Sequence, residues 1–298
     1  MLKRTITGFF ILLAVVGFVF LREVSLLFFD AFMLLIIYGA ILEMIKASNA
    51  ANKKVEKILL LVYPLPLACI YIFTSGEIAL LLQIALLIVA FVVLMAKELI
   101  VNTINRKKTK ELSENEINES LLCETKNTLQ ILVYPTTLIA FLMGINHLGL
   151  NIGYVGIIMT FAVTMMTDVF AYLFGSMLKG PKMAPEISPK KSISGMIFGT
   201  LGGLIAAGIG YLLFVHLGYL GNCFEAYKSC FDILIFIAMG LIGTFLTQFG
   251  DLVASAYKRK VGIKDYGSIF PGHGGFMDRV DGLMFTATLA YILLAMLI

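Results

Sequence analysis

The sequence predicts an all-α, polytopic integral membrane protein of about nine transmembrane helices with a cytoplasmic N-terminus. Three observations predict it. Hydrophobic residues fill 59% of the 298 positions and charged residues 14%, with a mean hydropathy of +0.94, whereas a soluble chain carries roughly a quarter charged residues. The apolar residues run on without strand alternation, which selects helices in a bilayer that offers no partner to a free backbone group. With nine spans, every Lys and Arg except Arg22 and Lys228 falls on one side, the positive-inside pattern that puts this side in the cytoplasm.

The elements follow in order. Lys3 and Arg4 precede an apolar run over 5–21 that lacks a small-x-small cleavage site before Arg22, so it reads as a retained first span rather than a signal peptide. Further spans are predicted over 26–42, 58–74, 78–96, 128–144, 150–174, 193–215, 233–250 and 282–298, each near the ~17–25 residues that cross hydrocarbon. The first two are short enough to form a re-entrant pair. A polar stretch over 97–127 predicts a cytoplasmic loop with a short surface helix around 111–123. In the seventh span Gly195, Gly199, Gly203 and Ala207 recur every four residues, a ridge for close helix approach. The chain thus divides into an N-terminal transmembrane region, 1–127, of about four helices plus that loop, and a C-terminal transmembrane region, 128–298, where the polar chemistry lies.

A net charge of +4 is too small to argue for a nucleic-acid partner. The cysteines lack metal-ligand spacing. Cys223 and Cys230 flank a short loop, where they pair in an oxidising compartment or stay thiols.

Polar chemistry concentrates in 251–281. This segment holds Asp251, Asp265, Asp278 and Asp281, the cations Lys258, Arg259, Lys260, Lys264 and Arg279, and the turn Pro271-Gly272-His273-Gly274-Gly275. Thr244, Thr247, Asp251 and Ser255 are spaced by three or four and share a helical face, which Lys258 and Arg259 join if the helix continues. Carboxylates suit a hard cation such as Mg²⁺, which takes one or two of them plus substrate phosphates and water. Asp251 and Asp278 are the expected metal ligands, while Lys258, Arg259, Lys264 and Arg279 would offset phosphate charge and His273 would contact it. Asp278 and Asp281 also suit a capping role at the start of the last span.

The run Ser255-Ala-Tyr-Lys258-Arg259, then Lys264-Asp265-Tyr-Gly267-Ser-Ile-Phe270-Pro271-Gly-His273-Gly274-Gly275-Phe-Met-Asp278-Arg279-Val-Asp281 resembles the signature of the phosphatidate cytidylyltransferases, the CDP-diacylglycerol synthases. Tyr257 stands where that family has an aliphatic residue or Phe. Upstream, the lone intramembrane acid Asp168, expected to face a cavity or partner, begins Asp168-Val-Phe-Ala171-Tyr172-Leu-Phe174-Gly175. This is similar to the family's Asp-Ser-Gly-Ala-Tyr, with Val169 and Phe170 replacing the small pair. The stretch Ser188-Pro189-Lys190-Lys191-Ser192 resembles its second cytoplasmic motif, with Ser192 for Thr and Ser194 for Glu. The resemblance covers the chain from about Asp168 onward.

It implies a dimeric membrane enzyme, in a bacterial inner membrane with its active site facing the cytoplasm, that uses CTP and Mg²⁺ on phosphatidate drawn from membrane lipids. A second cation is left open. Asp251, Ser255, Lys258, Asp278 and Asp281 would be its catalytic groups. Asp168, Ser188, Lys190, Lys191, Ser192, Arg259, Lys264, Asp265, His273, Gly274, Gly275 and Arg279 would bind substrate. Two alternatives stand beside it: the same chemistry on an isoprenoid lipid phosphate, and an ion-coupled carrier using Asp168 and Asp251 as intramembrane cation sites.

Overall fold

The computed structural model describes residues 2–48, 54–74, 76–108, 125–217, 230–272 and 274–296. They form a bundle of helices: α1 (Leu2–Leu21), α2 (Leu26–Ser48), α3 (Lys54–Val62), α4 (Pro64–Phe73), α5 (Gly76–Lys108), α6 (Thr125–Asn146), α7 (Leu150–Leu178), α8 (Ile193–His216), α9 (Cys230–Lys260), α10 (Met277–Val280) and α11 (Leu283–Ala295). Between α7 and α8 lies an antiparallel hairpin of β1 (Lys182–Ala184) and β2 (Ser188–Ser192), with Lys182 opposite Ser192 and Ala184 opposite Ser188. Seven helical segments of the described residues are long and apolar enough to cross a membrane, with shorter apolar helices at Thr7–Leu21 and Leu283–Ala295. The chain is an all-α, polytopic membrane protein.

Several helices differ from the hydropathy reading. The third span is two helices, α3 and α4, jointed at Tyr63, because Pro64 and Pro66 supply no backbone N–H. Helix α5 runs past the apolar stretch to Lys108, since 97–108 contains no Gly or Pro to stop it. Helix α6 carries a π-helical turn, Leu132–Thr137, around Pro135. There the hydroxyls of Thr136 and Thr137 donate to the carbonyls of Ile131 and Leu132 at 3.0 and 2.8 Å, partners that lipid could not provide. The expected surface helix at 111–123 lies outside the described residues, as do Cys123, Cys223 and Lys228.

Helix α6 is the buried centre, packed by α2, α7 and α11. The small residues of α8 do what their spacing predicts. Gly203 lies so close to Thr244 of α9 and Thr167 of α7 that no side chain would fit, and Gly199 sits on the Thr167 carbonyl. Thr244 bonds Thr167 at 3.1 Å and Thr247 bonds Thr286 of α11 at 2.6 Å. The Thr244 and Thr247 hydroxyls on the Asp251 face of α9 are therefore used for helix packing.

The two ends of the bundle have different characters. At one end Arg22, only 2% exposed, staples the α1–α2 turn to the α6–α7 turn. It donates to Asn146 Oδ1 at 2.6 Å and to the carbonyls of Asn146, Gly149 and Leu150. Beside it Asp30 accepts from Asn146 at 2.9 Å and pairs with His147 at 2.7 Å. Every polar group of this cluster answers another. The opposite end gathers the hairpin, the end of α2, the end of α9 and the 261–276 loop.

Candidate active site

Helix α9 continues through Lys260, so Asp251, Ser255, Lys258 and Arg259 leave the apolar span on one rigid rod. The chain then turns at Gly262 and folds back beneath it. Phe270 N–H closes a tight turn on the Gly274 carbonyl at 2.9 Å, with φ of +78° at Gly272 and +83° at Gly274, a conformation that favours glycine. His273, between them, lies outside the described residues.

Asp278 organises this loop. It is 8% exposed; Oδ1 accepts from Lys258 Nζ at 2.8 Å, and Oδ2 accepts from the amides of Tyr266 at 2.8 Å and Gly275 at 3.0 Å. Tyr266 packs its ring 5.4 Å from the Lys258 ammonium and donates its hydroxyl to the Ala254 carbonyl at 3.3 Å. Burial pushes that phenol up, so it remains a donor.

Asp251 stands in a more open setting. Its Oδ2 pairs with Lys191 Nζ at 2.6 Å, and Ser255 Oγ donates to Oδ1 at 3.4 Å. Asp251 interacts electrostatically with Asp168 from α7 and with Asp281. Burial first, and then the charge of Asp251, raise the Asp281 carboxyl above the usual carboxylate range, against the pull of Lys258. Arg279 and Lys191 offset Asp168 in turn. Among the described residues no three His, Cys, Asp or Glu side chains close into a metal cage.

The β1–β2 hairpin brings the second motif to the same place. Along β2 Lys191 is half-buried against Asp251, while Lys190 is exposed. Lys191 also donates to the Gln248 carbonyl at 3.3 Å, and Arg259 Nε donates to the Ile187 carbonyl at 3.3 Å, pinning the hairpin turn to α9. Ser192 is the N-cap of α8: its oxygen accepts from Gly195 N–H at 3.2 Å, and Ser194 shares the hydroxyl at 3.0 Å. Ser188 opens β2 half-buried, and Lys264 and Asp265 are exposed on the loop. Of the departures in the α7 motif, Val169 faces outward and Phe170 packs on Gly202 of α8.

Three contributors escape the sequence reading. Gln248 joins Lys191 to α8 by donating to the Met196 carbonyl at 3.2 Å. Tyr266 supplies an amide and a ring to the Lys258–Asp278 pair. Glu43, near the end of α2, accepts the amides of Phe276 and Met277. Its only signal was a lone acid closing an apolar run.

An apolar cavity of about 530 Å³ opens beside these groups, walled by α1, α2 and α7. Phe10, Phe32 and Met165 are among its lining, and Thr7, Thr164, Asp168 and Arg279 are its polar members. The Thr164 hydroxyl has no partner among the described residues.

Known proteins resemble this chain over part of its length. The chain is 40% identical over 132 residues to the phosphatidate cytidylyltransferase of Rickettsia typhi, covering 44% of this chain and 54% of that protein. It is 41% identical over 140 residues to that of Brucella abortus, 47% of each chain. Against that of Staphylococcus aureus it is 40% identical over 138 residues, 46% of this chain and 48% of the relative. The chain thus spans about half the length of the curated relatives it matches. A family profile described as "Cytidylyltransferase family" matches residues 2–297, and the chain belongs to that family.

Proposed function

We propose that this chain transfers CMP from CTP to phosphatidate, giving CDP-diacylglycerol and pyrophosphate for phospholipid synthesis. One observation carries the reading. An apolar cavity of acyl-chain character meets Asp168 and Arg279, beside carboxylates and lysines suited to phosphates and a cation. The names of the relatives support it, and a carrier would want its substrate-coupled ionisable groups near the midplane, whereas these lie at an end of the bundle.

In this reaction a phosphate oxygen of phosphatidate forms the new bond to the α-phosphorus of CTP. The bond to the β-phosphate breaks, and pyrophosphate leaves with the electron pair. A phosphate monoester has its second pKa near ~6, so the nucleophile needs no strong base. The protein's work is to position two polyanions and offset their charge. Arg279 would hold the lipid phosphate at the cavity mouth. Lys191, Lys190 and Arg259 would meet the triphosphate from the hairpin side, with Lys264 and the turn at Gly274 and Gly275 bordering it; the family resemblance supports a phosphate contact by His273. Ser188 and Ser192 shape that wall.

Mg²⁺ fits the donor set, which is all carboxylate and incomplete without substrate, as expected for an ion that takes one or two carboxylates and completes its shell with phosphate and water. Asp251, 38% exposed, would hold it, with Asp281 as a second carboxylate once its proton is displaced. Asp278, the other ligand expected from the sequence, has Oδ1 on Lys258 and Oδ2 on two amides, which supports a part in fixing the loop. When bound, the ion would neutralise phosphate oxygens. The Lys and Arg distribution supports a cytoplasmic site in a bacterial inner membrane, where CTP is at hand, and the family resemblance supports a homodimer.

The test is incorporation of labelled CTP into lipid by purified protein, with and without phosphatidate and Mg²⁺. CDP-diacylglycerol that requires both is the expected result. No CDP-lipid with any divalent cation, or equal transfer to isoprenoid phosphates, would overturn the assignment.

A further inference from the structure

The 261–276 loop is anchored from the opposite half of the chain. Glu43 is 6% exposed. Its Oε1 accepts the Phe276 N–H at 3.0 Å and its Oε2 the Met277 N–H at 2.9 Å. Burying a carboxylate is costly unless hydrogen bonds answer it. An apolar side chain could pack α2 against this loop without that cost, so the carboxylate is there for its two acceptors.

The surroundings are cut to admit it. A Cβ at Gly267 or at Gly275 would overlap the Glu43 carboxylate, and one at Gly39 would press into the Phe276 ring. Gly39 and Glu43 are one helical turn apart on the same face of α2, so this face is fitted to the loop at two levels. The held amides immediately precede Asp278 and Arg279. Gly275, which makes room for Glu43, donates its own amide to Asp278 at 3.0 Å. Moving Glu43 would therefore move the backbone on which both residues stand.

We propose that Glu43 is a positioning residue for the transfer reaction, touching neither substrate nor cation but fixing the backbone at Phe276 and Met277, and through it Asp278 and Arg279. The proposal rests on the functional reading above. Glu43→Gln keeps size but has one acceptor oxygen and turns an NH₂ group on the second amide. Glu43→Asp draws the carboxylate back by one methylene, about 1.5 Å, short of both amides.

The experiment uses the full chain in lipid nanodiscs, with monodisperse fractions assayed for CDP-lipid formation and for hydrogen exchange of the 275–280 peptide. Misplacement of reacting groups by about 1 Å costs roughly 100-fold, so Glu43→Gln should lose about that in turnover per folded molecule while the peptide exchanges faster. Gly275→Ala should be as damaging in the native background. On Glu43→Asp, where the carboxylate has withdrawn, it should cost no more than about 2-fold further. Faster exchange with turnover per folded molecule within about 2-fold of native would make Glu43 merely structural and overturn the proposal. If Glu43→Gln does not fold, the Gly275 pair decides: an equal Gly275→Ala penalty in both backgrounds overturns it, and loss of that penalty supports it. If the native protein makes no CDP-lipid, the functional reading fails. The exchange arm then decides whether Glu43 fixes the loop.

Discussion

Removing either partner of the Lys258–Asp278 pair should have unequal effects on stability, and the structure says which is worse. The pair is 2.8 Å long, with the side chains 13% and 4% exposed. Lys258→Met strands a buried carboxylate, a change that costs about 3–5 kcal/mol when nothing else answers the charge. Here the amides of Tyr266 and Gly275 remain on Oδ2 and the lysine end is partly open, so about 2–3 kcal/mol is expected. Asp278→Asn behaves differently. Both amides bond one oxygen, so the Asn carbonyl can keep them, and Lys258, near the end of α9, can swing its ammonium to water. The cost falls to about 1 kcal/mol. The double variant should resemble Asp278→Asn alone, giving a coupling of about 2–3 kcal/mol. Denaturant unfolding in mixed micelles measures the cycle, and turnover should fall at least about 100-fold in all three variants. Additive losses, or a larger loss for Asp278→Asn, would refute the argument that Asp278 is held by the loop amides and needs Lys258 for charge.

The raised Asp281 carboxyl sets a pH dependence. Because the folded state binds that proton more tightly than the unfolded state, metal-free stability should decline as pH rises from the ordinary carboxylate range through the raised value, and Asp281→Asn should remove the decline. Mg²⁺ must displace the proton, so its half-saturating concentration should fall with rising pH by up to about tenfold per unit, and Asp281→Asn should flatten that slope. Mn²⁺ binding in the presence of CTP, read by its paramagnetic signal, should weaken about 10–100-fold in Asp251→Asn and far less in Asp278→Asn; the reverse order would return Asp278 to the ligand set. Lys191→Ala should cost about 100–1000-fold in turnover, as losing one preorganised charge contact does, while Lys190→Ala should change mainly the KM for CTP, because only Lys191 faces Asp251. Equal effects of the two would contradict the hairpin register.

Much of this was legible because it is local. Apolar runs mark the helices, and i, i+4 spacing places Asp251 with Ser255, which the structure joins at 3.4 Å. Hydropathy marks where lipid ends and not where a helix ends, so α5 and α9 run on to Lys108 and Lys260. A shared helical face does not say what occupies it: Thr244 and Thr247 lie near Asp251 in sequence yet serve α7 and α11. Lys190 and Lys191 are identical side chains, and only strand pairing separates them. Glu43 is the furthest out of reach, since its partners lie more than two hundred positions away and are backbone amides, which any residue type provides.

The two lysine–carboxylate pairs explain how so charged a site is tolerated beside a bilayer. Each anion has its own cation, so neither charge is stranded before substrate arrives. They are not equivalent. Lys191 and Asp251 are 23% and 38% exposed, and a pair so open contributes at most about 1 kcal/mol, so an arriving cation and phosphate can exchange partners with it at little cost. Lys258 and Asp278 are more deeply buried and tied to two amides, and separating them would leave a charge with no water to answer it. The first pair is therefore the exchangeable one and the second the fixed frame. Arg279 follows Asp278 directly, so the frame sets where the lipid phosphate is met, while Asp251 and Lys191 adjust to the nucleotide.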